Sequence, residues 1–413
     1  MRAAFRVAAN RPGEWVLPLI GIVALVGCGQ GPGAGPGESA ESLPILTPHA
    51  SQPLLRLGDD ADASGGFGRI QGAVLLDDTL LVVADAQPPG LAYFSLDGSL
   101  FRRAGSPGQG PGEFRSISWI QVDPEGRGVW AYDGSNRRAS LFSPVGELLD
   151  EVPVPAVEGL NFPQVVGILP HEVLMLRGSP ADAPPREPAS GRHRFEARVS
   201  VAHRDGGEAA HLWEGVATEM GVAVTGTTAN PRMVQGPVPL AGELAVCVGP
   251  EGRVAIVPHT RAELHMAGRE GDGGPDQGLE GWASQVTSWP EDPRPADADL
   301  FRQAVADLIG QMGSGNLPPG VEETYLAMDP PETLPVNEGV LCAPDGSFWV
   351  GRYPEPGGSA KEWRLLDSHG SQIVQVHLPS NVRPTWVGTE RILAVEEDEL
   401  GVERVLFLEW RSP

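Results

Sequence analysis

Six times along the chain a polar turn is followed at once by a short apolar burst, and this repetition limits the available folds more than any other feature. The bursts run Leu80 to Ala84 after Asp77-Asp78, Val129 to Tyr132 after Pro124-Glu125-Gly126, and Val173 to Leu176 after Pro170-His171. The later three run Val254 to Val257 after Pro250-Glu251-Gly252, Phe348 to Val350 after Pro344-Asp345-Gly346, and Ile392 to Val395 after Gly388-Thr389-Glu390. A spacing of tens of residues marks an architecture in which no single unit can bury its own apolar face. Each burst leads to a second strand-like segment and another turn, which is the pattern of an antiparallel meander. Two units share one register: Asp85 and Asp133, Phe94 and Phe142, and Gly98 and Gly146 are each 48 residues apart.

These features predict an all-β fold, a six-bladed β-propeller, with outer strands at Leu100-Phe101, Leu148-Leu149, Ala209 to Trp213, Gln372 to Leu378 and, more weakly, Trp282 to Val286. The sixth unit ends with the chain, so its outer strand is expected from Pro53 to Leu57, paired with Glu403 to Trp410. Such closure removes an exposed sheet edge. A β-sandwich, or two smaller β domains, shares the period-2 pattern but not the 48-residue register. Two insertions interrupt the meander. Ala181 to Arg192 is Pro-rich and reads as an exposed loop. A helix is expected near residues 296–312, capped by Asp297, with Leu300, Phe301, Val305, Leu308, Ile309 and Met312 on one stripe and Gly313 at its end; it either packs on the host domain or forms a lid.

The first 27 residues read as a leader. Arg2, Arg6 and Arg11 precede the apolar stretch Trp15 to Val26, which is too short to span a bilayer stably. Leu25-Val26-Gly27-Cys28 resembles the bacterial lipobox, which implies lipidation of Cys28. Residues 28–50 are expected to be a Gly/Pro-rich tether of about 25 Å in coil form, and residues 51–413 the propeller. This places the protein outside the cytoplasm, held to a membrane through its anchor alone. Gly29 lacks the aspartate of an inner-membrane retention signal, which favours the outer membrane. The chain carries −24; the leader's three arginines and Glu14 account for +2, leaving −26. Such acidity repels phosphate backbones and argues against a nucleic-acid partner. Lys361 is the only lysine. Beyond Cys28 only Cys247 and Cys342 remain, on first strands of adjacent units. Counted from their turns they alternate to opposite faces, which reads as two buried free thiols.

The segment Gly105-Ser106-Pro107-Gly108-Gln109-Gly110-Pro111-Gly112-Glu113-Phe114 resembles one found in bacterial six-bladed β-propeller lipoproteins related to the NHL-repeat family. Asp133, Asn136, Arg138 and Phe142 fall on the Asp-x-x-Asn-x-Arg-x-x-x-Phe pattern of NHL repeats, and Pro335 with Cys342 to Val350 resembles that group's fifth blade. The first unit departs, with Pro88 and Gly90 at the Asn and Arg positions. The resemblance implies a fold and a cell-envelope setting, and no reaction.

Candidate binding residues are Glu113, Asp133 and Arg137. Their structural reading is the stronger: Glu113 accepting N–H groups of its glycine-rich loop, Phe114 plugging between blades, and the Asp133 turn held by side-chain to backbone bonds. No His-Glu-x-x-His, Gly-x-Ser-x-Gly, Cys-x-x-Cys or Walker loop occurs. No metal ligands are assigned, and His259 and His265 are the first pair to test. The expectation is a non-enzymatic binding or scaffold module for a protein, peptide or glycan, needing no cofactor. The alternative is a hydrolase or lyase using Ca²⁺ or Zn²⁺ at the central channel, Ca²⁺ being favoured by the many carboxylates. A helper subunit of an envelope complex is a third reading.

Overall fold

In a computed structural model of the protein, every apolar burst forms the second strand of a small antiparallel sheet. Described are residues 44–48, 52–59, 66–183, 189–227, 230–269, 279, 281–311 and 317–410; the leader, Cys28 and the tether up to residue 43 lie outside them. Among the described residues there are six sheets of four or five strands and one two-stranded pairing. Sheet one runs Ile70–Leu76, Leu80–Ala86, Pro89–Ser95 and Leu100–Ala104, and sheet two Ile117–Val122, Val129–Asp133, Arg138–Phe142 and Leu148–Pro153. The first strands of sheets three to six are Leu160–Leu169, Ala245–Val248, Asn337–Cys342 and Val382–Val387. Sheet six takes its fourth strand from the other end of the chain, Leu55–Leu57 pairing with Val405–Phe407. The segment ahead of it is also paired: Ile45 and Leu46 run parallel to Gln375 and Val376 on the edge of sheet five, so the chain joins the sheets before residue 51.

The bursts are apolar without alternation because both faces of these strands are covered. Leu81 and Val83 pack with Phe407 and Val405 of sheet six, while Val82 and Ala84 pack with Phe114 of the two-stranded pairing and with Ile117 and Val129 of sheet two. The same division recurs between sheets two and three, three and four, four and five, and five and six. Each first strand lies beside the first strand of the next sheet, and that of sheet six beside that of sheet one. Each fully buried leucine, valine or phenylalanine in these seams contributes about 1.5–3 kcal/mol.

The face-to-face seams correct the expectation for the cysteines. Cys247 and Cys342 form a disulfide, with Cα atoms 5.8 Å apart. Their opposite alternation was sound, but the conclusion reverses when sheets stack radially. A residue of sheet four must face forward, and one of sheet five backward, for the two to meet in a shared seam. Both border the sheet four–five core.

The weak outer strand of sheet four is fully formed as Trp282–Ser288, paired with Glu263–Arg269 along its length. Sheet three departs most: its fourth strand extends to Ala209–Thr227 and returns as Asn230–Pro237. Of the Ala181 to Arg192 insertion, residues 184–188 lie outside the described residues, and the third strand already begins at Gly191. The expected helix is α1, Ala298–Gln311, with Asp297 Oδ1 accepting the Leu300 N–H at 2.7 Å. Met312 and Gly313 lie outside the described residues. A second helix, α2 (Val321–Leu326), follows. Phe301, Val305 and Ile309 of α1 and Tyr325 of α2 pack on Ala223 and Val238 of the sheet three extension, and the Tyr325 hydroxyl donates to Gly221 O at 3.1 Å. The helices therefore cover the long hairpin. Among the described residues no helix is long and apolar enough to cross a membrane.

The bridge closes a loop of 95 residues, for which loss of unfolded-chain entropy is worth on the order of 4 kcal/mol. Cys247→Ser with Cys342→Ser is expected to lower denaturant stability by about that much. Reducing the native protein should reproduce the loss and leave the double variant unchanged.

Candidate functional site

The first strands of all six sheets line a central cavity of about 630 Å³. Its wall is mostly apolar, including Val74, Ile120, Val166, Val248, Leu341 and Trp386. Its polar side chains are largely spent joining neighbouring sheets. Trp119 Nε1 donates to Val165 O at 2.9 Å. Gln121 donates to Ile168 O at 2.7 Å and accepts the Ile168 N–H at 3.1 Å, while Thr385 Oγ1 donates to Ala73 O at 3.1 Å. The acids along the cavity, Asp77, Asp78, Asp123 and Glu251, belong to or border the hairpin turns at one end. Burial opposes ionisation of Asp123, but hydrogen bonds from Arg127 and Trp130 outweigh it and hold the carboxyl below its usual range.

The other end differs. Arg383, on the first strand of sheet six, borders both the cavity and an adjoining pocket of about 590 Å³ that also touches Lys361, Asn381, Glu397 and Glu403. Sheet five supplies the opposite wall, and a β-bulge decides which residue it presents. Asn337 pairs with Arg352 and Gly339 with Gly351, leaving Glu338 unpaired. Simple alternation from Val340, which faces sheet four, would turn Glu338 toward sheet four as well. The bulge reverses this. Asn337 faces sheet four, donating to Pro258 O at 2.9 Å and Arg261 O at 2.7 Å, and Glu338 lies over Gly351 beside Trp363, a residue of the sheet five–six seam.

A Cβ at Gly351 would stand 2.9 Å from Glu338 Cγ and 3.1 Å from the Trp363 ring, so only glycine leaves that carboxylate its place. Lys361, two residues before Trp363, shares the same sheet face. Among the described residues Glu338 makes no hydrogen bond and no ion pair within 4.0 Å. Burial pushes its carboxyl above the usual range, only partly offset by the charges of Lys361 and Arg383. Arg383 is exposed, though crowding by neighbouring atoms pulls its guanidinium down, with Glu403 opposing; among the described residues its guanidinium hydrogen bond goes to Ile70 O at 3.1 Å. The Tyr353 phenol is raised by burial and then by the Glu338 charge.

The sequence-derived candidates occupy the neighbourhood of sheets one and two instead. Glu113 Oε2 accepts the Gly110 N–H at 2.7 Å, and Phe114 is fully buried between those sheets. Asp133 is fully buried and accepts the backbone N–H groups of Arg115, Ser135 and Asn136 at 2.6, 2.9 and 2.8 Å. Asp85, 48 residues earlier, does the same for Gly68, Arg69 and Gln87. Asn136 and Arg138 donate to loop carbonyls of Gly108 and Glu113 at 3.0 and 2.8 Å. Arg137 points away, donating to Pro163 O at 3.2 Å. His259 is buried, its imidazole pulled down by desolvation, whereas His265 Nε2 sits 2.9 Å from Glu263 Oε1. Among the described residues no three His, Cys, Asp or Glu side chains gather in a set able to hold a metal ion.

No family model and no curated protein matches the chain. Solved structures do resemble it. A member of the DUF4221 family from Bacteroides vulgatus is 10% identical, with 86% of this chain and 96% of that one covered, at a TM-score of 0.48. A protein of Bacteroides fragilis thought to be exported is 11% identical over 89% and 99%, at 0.46. Streptogramin B lyase is 9% identical over 82% and 93%, at 0.37. These are β-propeller folds, and at such scores no reaction or ligand transfers from them.

Two substitutions should act in opposite directions. Asp133→Ala strands three backbone donors and is expected to cost about 3 kcal/mol in a denaturant titration. A carboxyl whose folded pKa is raised contributes stability below its unfolded value of about 4.3 and loses it as pH rises through the folded value. Glu338→Gln should therefore melt higher than the native protein at pH 7, the difference vanishing below about pH 4.

Proposed function

We propose that the protein is an extracytoplasmic, lipid-anchored binding or scaffold module, a six-bladed β-propeller closed by its own N-terminal strand, that engages a protein, peptide or glycan at the Arg383 end of its central cavity. Support for the ring comes from the cyclic order of first strands and from the Leu55–Leu57 pairing with sheet six. The setting outside the cytoplasm is supported by the Cys247–Cys342 disulfide and by the lipobox ending in Cys28.

The observation that carries the binding reading is the division of labour along the cavity. Its wall spends polar groups on sheet-to-sheet bonds, while at the mouth an exposed Arg383 and a half-buried Glu338 are not paired with each other. Charged groups left open beside a saturated wall are available to a ligand. Glu113, Asp133 and Arg137 support such a site from a distance, by fixing the loops of sheets one and two.

A second reading, a hydrolase or lyase, draws on the same unbonded carboxylate, since a desolvated Glu338 beside Tyr353 is fit for proton transfer. The Ca²⁺ or Zn²⁺ of that reading would be supplied on binding.

A photo-crosslinking residue at Asn381, beside the mouth, is expected to give a discrete adduct in intact cells, and the same residue at Thr79, on the turn end, none. Turnover of a lactone, ester or glycoside by the purified protein, abolished by Glu338→Gln, would replace the binding reading with the enzymatic one. Cys28→Ser is expected to end palmitate labelling and release the protein from membranes.

A further inference from the structure

We propose that the outer rim of sheets six, one and two, at the hairpin-turn end, rests on a zwitterionic lipid surface through Leu54, Phe101, Val145 and Leu149. This rests on the lipid-anchored reading above and says which end of the body the anchor brings to the bilayer.

The argument starts from where the chain enters. Gln375 N donates to Pro44 O at 3.0 Å, and Ile45 lies beside Gln375, a few residues past the sheet five turn at residues 367–371. Leu54 N donates to Phe407 O at 2.8 Å, again toward the turns of its sheet. Both entry points therefore lie at the turn end, opposite Arg383. As a coil, the Gly/Pro-rich stretch from Cys28 to Pro44 reaches about 20 Å, so an acylated Cys28 keeps this end nearest the membrane.

Apolar side chains gather at that same end. Leu54 is 56% exposed, Phe101 57%, Val145 48% and Leu149 50%. Singly, such residues are ordinary. Here Phe101 and Val145 border one groove of about 490 Å³ with Leu80, Leu100 and Pro144. Leu55, next to Leu54, reaches the sheet one turn, its Cδ1 standing 3.0 Å from where a Cβ at Gly98 would be. The patch thus runs across three sheets, and a patch of that kind marks an interaction surface. Ile45 and Ile373 are also exposed and extend it toward the entry point.

Charge decides the kind of surface. Asp77, Asp78, Asp97 and Glu147 stand at the turns beside the groove, against Arg102 and Arg103. Asp150 and Glu151 are paired with Arg204 and Arg138, and Arg56 with Glu396. The excess of acid repels anionic headgroups, whereas phosphatidylcholine and phosphatidylethanolamine present their cationic groups outermost. A few half-exposed side chains hold a free protein only weakly, in keeping with the release expected of Cys28→Ser. Tethering raises their effective concentration at the bilayer, which is sufficient for docking.

With Cys247 and Cys342 joined, full-length protein carrying Ser99→Cys at the groove or Asn381→Cys at the far end can be labelled at the new thiol with nitrobenzoxadiazole. Each is reconstituted from detergent into vesicles of phosphatidylcholine and phosphatidylethanolamine, with and without a lipid bearing a nitroxide near its headgroup. Quenching of the Ser99 probe is expected to exceed that of the Asn381 probe roughly twofold or more. Phe101→Asp with Val145→Asp and Leu149→Asp should bring the two probes level, leaving the melting curve and flotation with vesicles unchanged. Replacing part of the lipid with phosphatidylglycerol should weaken Ser99 quenching at low salt. Equal quenching at the two positions in a chain that floats, or undiminished quenching in the triple variant, overturns the docking and leaves the anchor standing. So does a blue-shifted Ser99 probe that the lipid does not quench, the mark of a protein partner or a second copy. A chain that takes no palmitate and does not float overturns the anchor, and this inference with it.

Discussion

Face-to-face packing of small sheets is the constraint from which the rest follows. A four-stranded sheet with two apolar faces cannot stand alone in water, so each face must be covered by a neighbouring sheet. Along every strand, alternate residues then look backward to the preceding sheet and forward to the next. That rule turns the bursts into uninterrupted apolar runs, because Leu81 and Val82 are both inside although they point in opposite directions. It also brings Cys247 and Cys342 together, since partners across a seam must sit on opposite faces of their own strands.

The same rule explains how much of the molecule could be read from the chain. Second and third strands were legible because burial on both faces leaves a dense apolar signature, and Asp85 and Asp133 repeat because each closes the same turn. The sheet three extension was not legible: its strands, to Thr227 and over Asn230–Pro237, have one face packed under α1 and α2, a partnership fixed by tertiary packing. The facing of Glu338 was hidden for a different reason: a one-residue bulge sets it, and a bulge reverses facing without altering composition. One signal was present, a glutamate in a first strand that is otherwise apolar from Gly339 onward.

Motifs and site also separate in space for a physical reason. The family-like residues are those whose hydrogen bonds hold a blade in shape, and such residues are buried and saturated: Asp133 accepts three N–H groups and has little capacity left for a ligand. Resemblance of this kind follows the scaffold. A ligand site needs unsaturated groups, and at the sheet five–six mouth the bulge that recurs in first strands carries a glutamate, near an arginine on the next first strand.

The cavity wall and its mouth differ in how their polar groups are used. The cavity wall is close to a solved accounting problem, with Trp119, Gln121 and Thr385 each donating to a carbonyl of a neighbouring sheet. Glu338 and Arg383 make no ion pair with each other among the described residues, and both keep access to solvent. The bulge and the bare Cα of Gly351 set where the Glu338 side chain stands. Groups already placed and not spent on the scaffold are what a preorganised site offers. They sit toward the end where the central cavity adjoins the Arg383 pocket and where sheets five and six contribute opposite charges.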